Sequence, residues 1–396
     1  MPERSNILTL NAGSSSIRFA LFGRSLDRIL TGKLDLGTGD PRLSAVVRGR
    51  RVDESWPVVG ASDDRDPAQR LLTWVAGQMS GQEFAAVGHR VAIGGLEHSK
   101  SANVTPAVLT RLKSLVPLAP LHQPRSLALI EAVAASYPPV QQVACFDTAF
   151  HRTMPAVATT YALPAALRKA GARRYGFHGL SYEAIARRLP QLDERAAKGR
   201  AIVCHLGSGA SLCALRQGRS VATTMGFSPL SGLVMGSRPG DLDPGLMIWL
   251  LREQAMRLDE LENVLYHECG VKGLSGSSAD MRDLLASSEQ AARDAVAIFV
   301  YSVSTEIGRL TAALGGLNAI VFTAGIGESA PEVRERVCER LDWLGVDLDD
   351  AWNRANETRI STLASPVTVW VLPTDEEGVI AEETLRMTSP EGECFP

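Results

Sequence analysis

The sequence predicts an α/β protein of two domains. Three observations carry this reading: a 396-residue chain is longer than one hydrophobic core ordinarily organises, short apolar β-type runs alternate with longer helical patterns, and one strand-turn-strand pattern occurs twice.

In chain order the β-type runs are "NILTL" (6–10), "SIRFALF" (16–22), "AAVGHRVAI" (85–93), "QQVACF" (141–146), "AIVCHL" (201–206), "SLCAL" (211–215), "AIVFTA" (319–324) and "VTVWVL" (367–372). Helical periodicity is read over 109–116 and 287–314. The repeat lies in "ILTLNAGSSSIRFALFGRS" and "AIVCHLGSGASLCALRQGRS". Both run apolar strand, Gly/Ser turn, apolar strand, basic polar turn, which suggests one unit used twice, although two unrelated hairpins would look alike. A third stretch, "LNAIVFTAGIGESAPEVRERV", reads as strand, glycine turn and helix. Backbone amides at such a turn can approach a phosphate.

Composition narrows the function. Hydrophobic residues make up 45%, charged residues 21% and the net charge is −3, which suits a globular protein without a broad polyanion-binding face. Nucleic acid is not expected as a partner. No secretory leader and no long uncharged apolar span is visible, so a cytoplasmic protein without membrane association is expected. Six cysteines (145, 204, 213, 269, 338, 394) form no C-x-x-C pair and fit reduced, mostly buried thiols.

The chemistry-bearing residues are Arg90 in "GHRVAIGG", Asp147 in "FDTAFH", His178 in "YGFHGLS", Arg238 in "GSRPGDLDPG" and Glu376 in "TDEEG". Two guanidinium forks can hold a carboxylate and a transferring phosphoryl group. Carboxylates supply hard oxygens to magnesium, and a histidine can stabilise charge that spreads onto phosphoryl oxygens. Taken singly, each has a structural reading: an ion pair for either arginine, a hydrogen-bonded structural histidine for His178, a cap or turn for Asp147 and Glu376. His205 and His122 are equally ambiguous. Their joint occurrence makes the case for phosphoryl transfer.

The motifs resemble those of the acetate and propionate kinases of the actin and sugar-kinase superfamily. The matching segments, from residue 7 to about 381, are "NAGSSSIRF", "GHRVAIGG", "APLHQP", "FDTAFHRTMP", "RRYGFHGLSY", "CHLGSGAS", "TTMGFSPLSGLVMGSRPGDLDPG", "SGSSADMRDL", "FTAGIGES" and "TDEEGVIA". The resemblance implies a two-domain actin-like ATPase fold, a duplicated ribonuclease-H-like core with the active site in an interdomain cleft. It places the N-terminal domain at 1–149, with a C-terminal helix about 379–396 packing back on it, and the nucleotide-binding domain at 150–378. It implies magnesium-dependent, with manganese as an alternative, reversible transfer from ATP to a short-chain carboxylate, giving acyl phosphate and ADP, in a homodimer.

Residue by residue, the resemblance makes Arg90, Asp147, His178 and Arg238 catalytic. Arg90, Ala92, Leu121, Phe177 and Pro229 would bind the acid, and Asn11 and Glu376 the metal. Nucleotide contacts would come from Ser14, Ser16 and Arg18, from His205, Leu206, Gly207, Ser208 and Gly209, from Asp280, Met281 and Arg282, and from Gly325, Ile326, Gly327, Glu328 and Ser329. An ionised carboxylate needs no deprotonation to attack phosphorus, so Asp147 is expected to organise metal and water more than to act as a base.

The sequence departs from the family pattern at Arg18 (usually lysine), Ser208 and Ser329 (asparagine), and Ala222 and Ser231 (carboxylates). Ala92 stands where acetate-preferring members have valine, which leaves room for one more substrate carbon, and Ile93 where the family has histidine. Two rival readings remain: a kinase for butyrate or a hydroxyl acceptor, and a nucleotide-binding protein that has lost turnover.

Overall fold

The computed structural model describes residues 4–13, 16–37, 39–57, 67–79, 83–120 and 122–389. Contacts divide the chain into two compact units, Met1–Ala149 with Asp375–Pro396, and Phe150–Thr374.

In the first unit β1 (Arg4–Ala12), β2 (Ser16–Phe22), β3 (Arg28–Asp35), β4 (Arg42–Val47) and β5 (Arg50–Ser55) form an antiparallel meander. With β6 (Glu83–Val91), β7 (Ala102–Asn103) and β8 (Gln141–Phe146) they make one sheet, ordered β5-β4-β3-β2-β1-β6-β8-β7, in which β1, β6 and β8 are parallel. Leu8, Leu10, Phe19 and Leu21 pack on one face against Leu71, Leu72 and Val75 of the helix Pro67–Gly77 and Leu129 and Val133 of the helix Gln123–Ser136. Ile7, Ala20 and Phe22 point to the other face, where Ala381 of the helix Glu376–Thr388 meets them. That helix lies directly on β6 because Gly88 has no side chain: a Cβ there would sit 2.2 Å from Thr384 Oγ1 and 2.5 Å from Ile380 Cγ2. It begins earlier than residue 379 because Asp375 caps it, accepting from the Gly378 amide at 2.9 Å.

The second unit repeats the plan. Strands β9 (Arg200–Leu206), β10 (Ala210–Arg216) and β11 (Arg219–Thr223) form an antiparallel meander. Strands β12 (Ala319–Thr323) and β13 (Thr368–Val371) complete the order β11-β10-β9-β12-β13, with β9, β12 and β13 parallel. Ile202, Cys204, Leu212 and Ala214 pack under Phe299, Val303, Ile307 and Leu310 of the helix Gln290–Leu314. Val203, Cys213 and Val321 pack on the other face against Tyr182 and Ile185 of the helix Gly179–Arg188. Burial on both faces explains why "AIVCHL" is continuously apolar instead of alternating.

The β1–β2 and β9–β10 hairpins occupy equivalent places in the two sheets, so the repeat is a duplicated structural unit. Strands β3 to β5 were not foreseen, because their outward positions carry Arg42, Arg50, Arg51 and Asp53 and dilute the apolar signal. Residues expected as a glycine turn after β12 are instead a short helix, Ala324–Ser329. The thiols of Cys145, Cys204, Cys213 and Cys338 are buried and Cys269 is half-buried, and among the described residues no disulfide is formed. Among the described residues no helix is long and apolar enough to cross a membrane.

Candidate active site

Three parallel strands of the first unit end in a polar cluster, as parallel sheets place their sites at the carboxyl ends of strands. Asn11 ends β1, Arg90 lies at the end of β6, Asp147 follows β8, and Glu376 and Glu377 open the last helix. The Arg90 guanidinium donates to Asp147 Oδ2 through Nε (3.0 Å) and Nη2 (2.7 Å), and to Asn11 Oδ1 through Nη1 (3.1 Å). Asn11 Nδ2 in turn donates to Glu376 Oε2 (2.8 Å) and Glu377 Oε1 (3.0 Å). Burial works against the Arg90 charge, but the Asp147, Glu376 and Glu377 carboxylates outweigh it and hold the guanidinium more firmly protonated than usual. Three of its five N–H groups are used within the unit, which leaves two for a ligand. Glu377, which the sequence reading passed over although it stands in "TDEEG", is pushed above the usual carboxylate range by burial and by the charge of Glu376.

Arg18 pairs with Asn11 across β1 and β2 and is exposed, lining an open cavity of about 420 Å³ with Lys33, Arg51 and Glu377. Ser16 starts β2, and its carbonyl accepts from the Gly13 amide at 2.8 Å. Ala92, one residue past β6, is buried. Ser14 and Leu121 lie outside the described residues.

The second unit gathers a different set. His178 has φ 58 and ψ 26, the left-handed region, just before the helix Gly179–Arg188. Its ring stacks on that of His205 with centroids 4.1 Å apart. Serines fix both rings: His178 Nδ1 lies 2.8 Å from Ser211 Oγ, which meets the Tyr182 hydroxyl at 2.5 Å, and His205 Nδ1 lies 2.8 Å from Ser181 Oγ. Arg238 donates through Nη1 to the Pro229 carbonyl at 2.7 Å. A Cβ at Gly209 would stand 2.5 Å from Arg238 Nη2 and 3.4 Å from His178 Nε2, so both groups converge on the hairpin turn. Desolvation pushes Arg238 down to about 10, so it is still a cation at neutral pH and is stabilised further by an anionic ligand. Phe177 and Pro229 are buried beside this set.

A cavity of about 540 Å³ is lined by Ser208, Ala279, Asp280, Met281, Arg282, Gly325, Ile326, Ser329 and Ala330. It brings together seven of the residues expected to contact nucleotide. Leu206 and Gly327 are buried, and Glu328 turns back to accept from the Ala324 amide at 2.8 Å, so these three hold the turns instead of lining the cavity. Ala324 has φ 65, and the Glu328 cap stabilises that conformation.

Sequence reasoning also missed Arg334, which "PEVRERV" presents as one more surface charge. It is fully buried and donates to the carbonyls of Gly327 (2.9 Å), Glu328 (3.1 Å) and Asn353 (2.8 Å) and to Asn353 Oδ1 (2.8 Å) and Asn356 Oδ1 (2.7 Å). The short glycine-bearing helix is thus held from behind by a buried cation, whose pKa burial lowers to about 10.

The sequence model of the Acetokinase family matches residues 6–382. The chain belongs to the acetokinase family. The acetate kinase of Rhodopseudomonas palustris (strain TIE-1) is 48% identical over 391 residues, covering 96% of this chain and 98% of that protein. That of Rhizobium meliloti is 47% identical over 389 residues, covering 97% and 98%. Among solved structures, a propionate kinase from Francisella tularensis subsp. tularensis SCHU S4 matches with a TM-score of 0.88 at 33% identity, covering 96% of this chain and 99% of that one. Porphyromonas gingivalis acetate kinase matches with a TM-score of 0.84 at 32% identity, covering 97% and 100%. This acetokinase is a phosphotransferase with a two-domain actin-like ATPase fold.

Proposed function

We propose that this acetokinase transfers the γ-phosphoryl group of ATP reversibly to acetate or propionate, giving acyl phosphate and ADP. The observation that carries the reading is the Asn11, Arg90, Asp147, Glu376 and Glu377 cluster, in which a guanidinium with donors to spare stands beside paired carboxylates. The acid's carboxylate oxygen attacks the γ-phosphorus, the bond to the β,γ-bridging oxygen breaks, and ADP leaves with that electron pair. No proton has to be removed, so Asp147 orients Arg90 and nearby water. Arg90 takes the carboxylate and the transferring oxygens. Arg238 and the Nε2 side of His178 stabilise charge on the equatorial phosphoryl oxygens. The cavity beside Ser208, Asp280 and Ser329 takes the nucleotide.

The donor set fits magnesium. Glu376 and Glu377 are adjacent hard-oxygen donors bridged by one amide, and a cation would offset both the burial and the Glu376 charge that raise Glu377. Among the described residues no three His, Cys, Asp or Glu side chains make a protein cage, so nucleotide phosphates and water would complete the coordination. The cation would neutralise charge on the phosphates. Asn11 would position the carboxylates, since its oxygen is engaged by Arg90.

A propionate-preferring enzyme is the second reading, favoured by the small side chain of Ala92. A cytoplasmic homodimer is also proposed. The helix Pro244–Arg252 buries none of its residues and exposes Ile248 and Trp249, 52% and 47% accessible, as a second copy would cover. Trapping acyl phosphate as hydroxamate with ATP, magnesium and each of acetate, propionate and butyrate tests the reaction. Product with acetate or propionate supports it, and no product from any acid, with ATP still bound, refutes it in favour of a nucleotide-binding protein.

A further inference from the structure

We propose that His151, inside "FDTAFH", is a positioning residue for His178, fixing the left-handed backbone that aims the His178 ring. The inference rests on the kinase reading above.

His151 is buried at the end of the 3-10 segment Asp147–Thr153. Its Nε2 lies 2.9 Å from the Phe177 carbonyl and its Nδ1 2.9 Å from Ser220 Oγ, which in turn is 3.3 Å from Cys213 Sγ. A carbonyl can only accept, so Nε2 carries the proton and Nδ1 does not. The Ser220 hydroxyl must then donate to Nδ1, and it can accept from the Cys213 thiol. One end of the chain therefore sets the direction of every link in it. Burial favours the neutral ring, pushing His151 down to about 4, so the same tautomer holds across the physiological range.

The bond reaches His178 by two routes. The Phe177 carbonyl belongs to the peptide that enters His178, whose φ of 58 is unfavourable for a residue with a side chain. Gly176 also has positive φ, 78, and wraps the imidazole so closely that a Cβ there would come within 2.6 Å of the ring. The same ring packs edge-on against Tyr182, centroids 5.7 Å apart, and Tyr182 holds the serine that holds His178 Nδ1. His151 thus fixes both the backbone entering His178 and the neighbour that orients its ring.

The test measures kcat and the KM values for ATP and carboxylate in the wild type, His151→Gln, His151→Leu and Ser220→Ala. His151→Leu, which lacks the donor, should lower kcat at least about tenfold, because misplacing a catalytic group by about 1 Å can cost about 100-fold, while KM for ATP stays within about twofold, since the cavity lined by Ser208 and Ser329 is untouched. His151→Gln keeps an N–H donor near the Nε2 position and should recover most of that loss. Ser220→Ala removes the hydroxyl that donates to Nδ1, leaving that buried acceptor unpaired and loosening the ring, and should lower kcat about threefold or more with KM unchanged; it keeps the test decisive if the leucine variant does not fold. Wild-type kcat in His151→Leu or Ser220→Ala overturns the inference, as do equal losses in the leucine and glutamine variants. An active wild type with an unaffected variant sinks this inference alone, whereas a wild type that forms no acyl phosphate sinks the kinase reading and this inference with it.

Discussion

Acidification should destabilise each unit through one buried histidine. His89 in the first unit and His151 in the second are each 1% exposed, and burial pushes both down to about 4. His89 Nε2 lies 2.8 Å from Gln142 Oε1, while its buried Nδ1 has no partner, so a second proton would be stranded. The unfolded chain takes the proton near pH 6.5, before the folded one. The stability from a depressed histidine is therefore present above about 6.5 and lost as pH falls toward 4. Each pH unit in that window costs about 1.36 kcal/mol per histidine, so going from pH 6.5 to 5.0 costs about 2 kcal/mol for each, a large part of the roughly 5–15 kcal/mol a protein has. Aspartates held low, such as Asp35, Asp193 and Asp280, lose their contribution only below this range. Glu377, whose carboxyl is raised, shifts stability in the opposite sense, so a variant comparison is required. Urea unfolding followed by circular dichroism at pH 7.5, 6.5 and 5.0 should show wild-type stability falling, and His89→Gln should show a shallower fall by about 2 kcal/mol over the same window. Equal slopes in the two proteins would refute the assignment of the pH dependence to His89.

Replacing Arg238 with alanine should lower kcat at least about 100-fold, the scale of losing one transition-state donor; near-wild-type turnover in the hydroxamate assay would remove it from the mechanism. Ala92→Val should lower kcat/KM for propionate more than for acetate, since one methylene is worth about 0.8 kcal/mol of burial and about 10 to 200-fold in selectivity. Equal effects on both acids would show that residue 92 does not set acyl length. Trp249→Glu should shift the protein from dimer to monomer in light scattering, and an unchanged mass would move the proposed interface away from the helix Pro244–Arg252.

The sequence by itself determined the pieces. Apolar runs long enough to be buried on both faces marked β9, β10 and β12, and a repeated Gly/Ser hairpin announced the duplication, because the turn chemistry and the strand pattern are both local properties. It also nominated Arg90, Asp147 and Glu376, which follow or interrupt such runs, and, through the family resemblance, Asn11. Tertiary structure alone decided which of these meet. Asn11 and Glu376 are 365 positions apart and reach 2.8 Å only because the last helix returns to the first unit over Gly88. The glycine-bearing segment after β12 became a helix against its own propensity: Glu328 caps it from within, and the buried Arg334, outside the segment, donates to the Gly327 and Glu328 carbonyls that end it. His151 and Glu377 acquired their roles in the same way: hydrogen-bond partners distant along the chain are chosen by packing, and no local pattern records that choice.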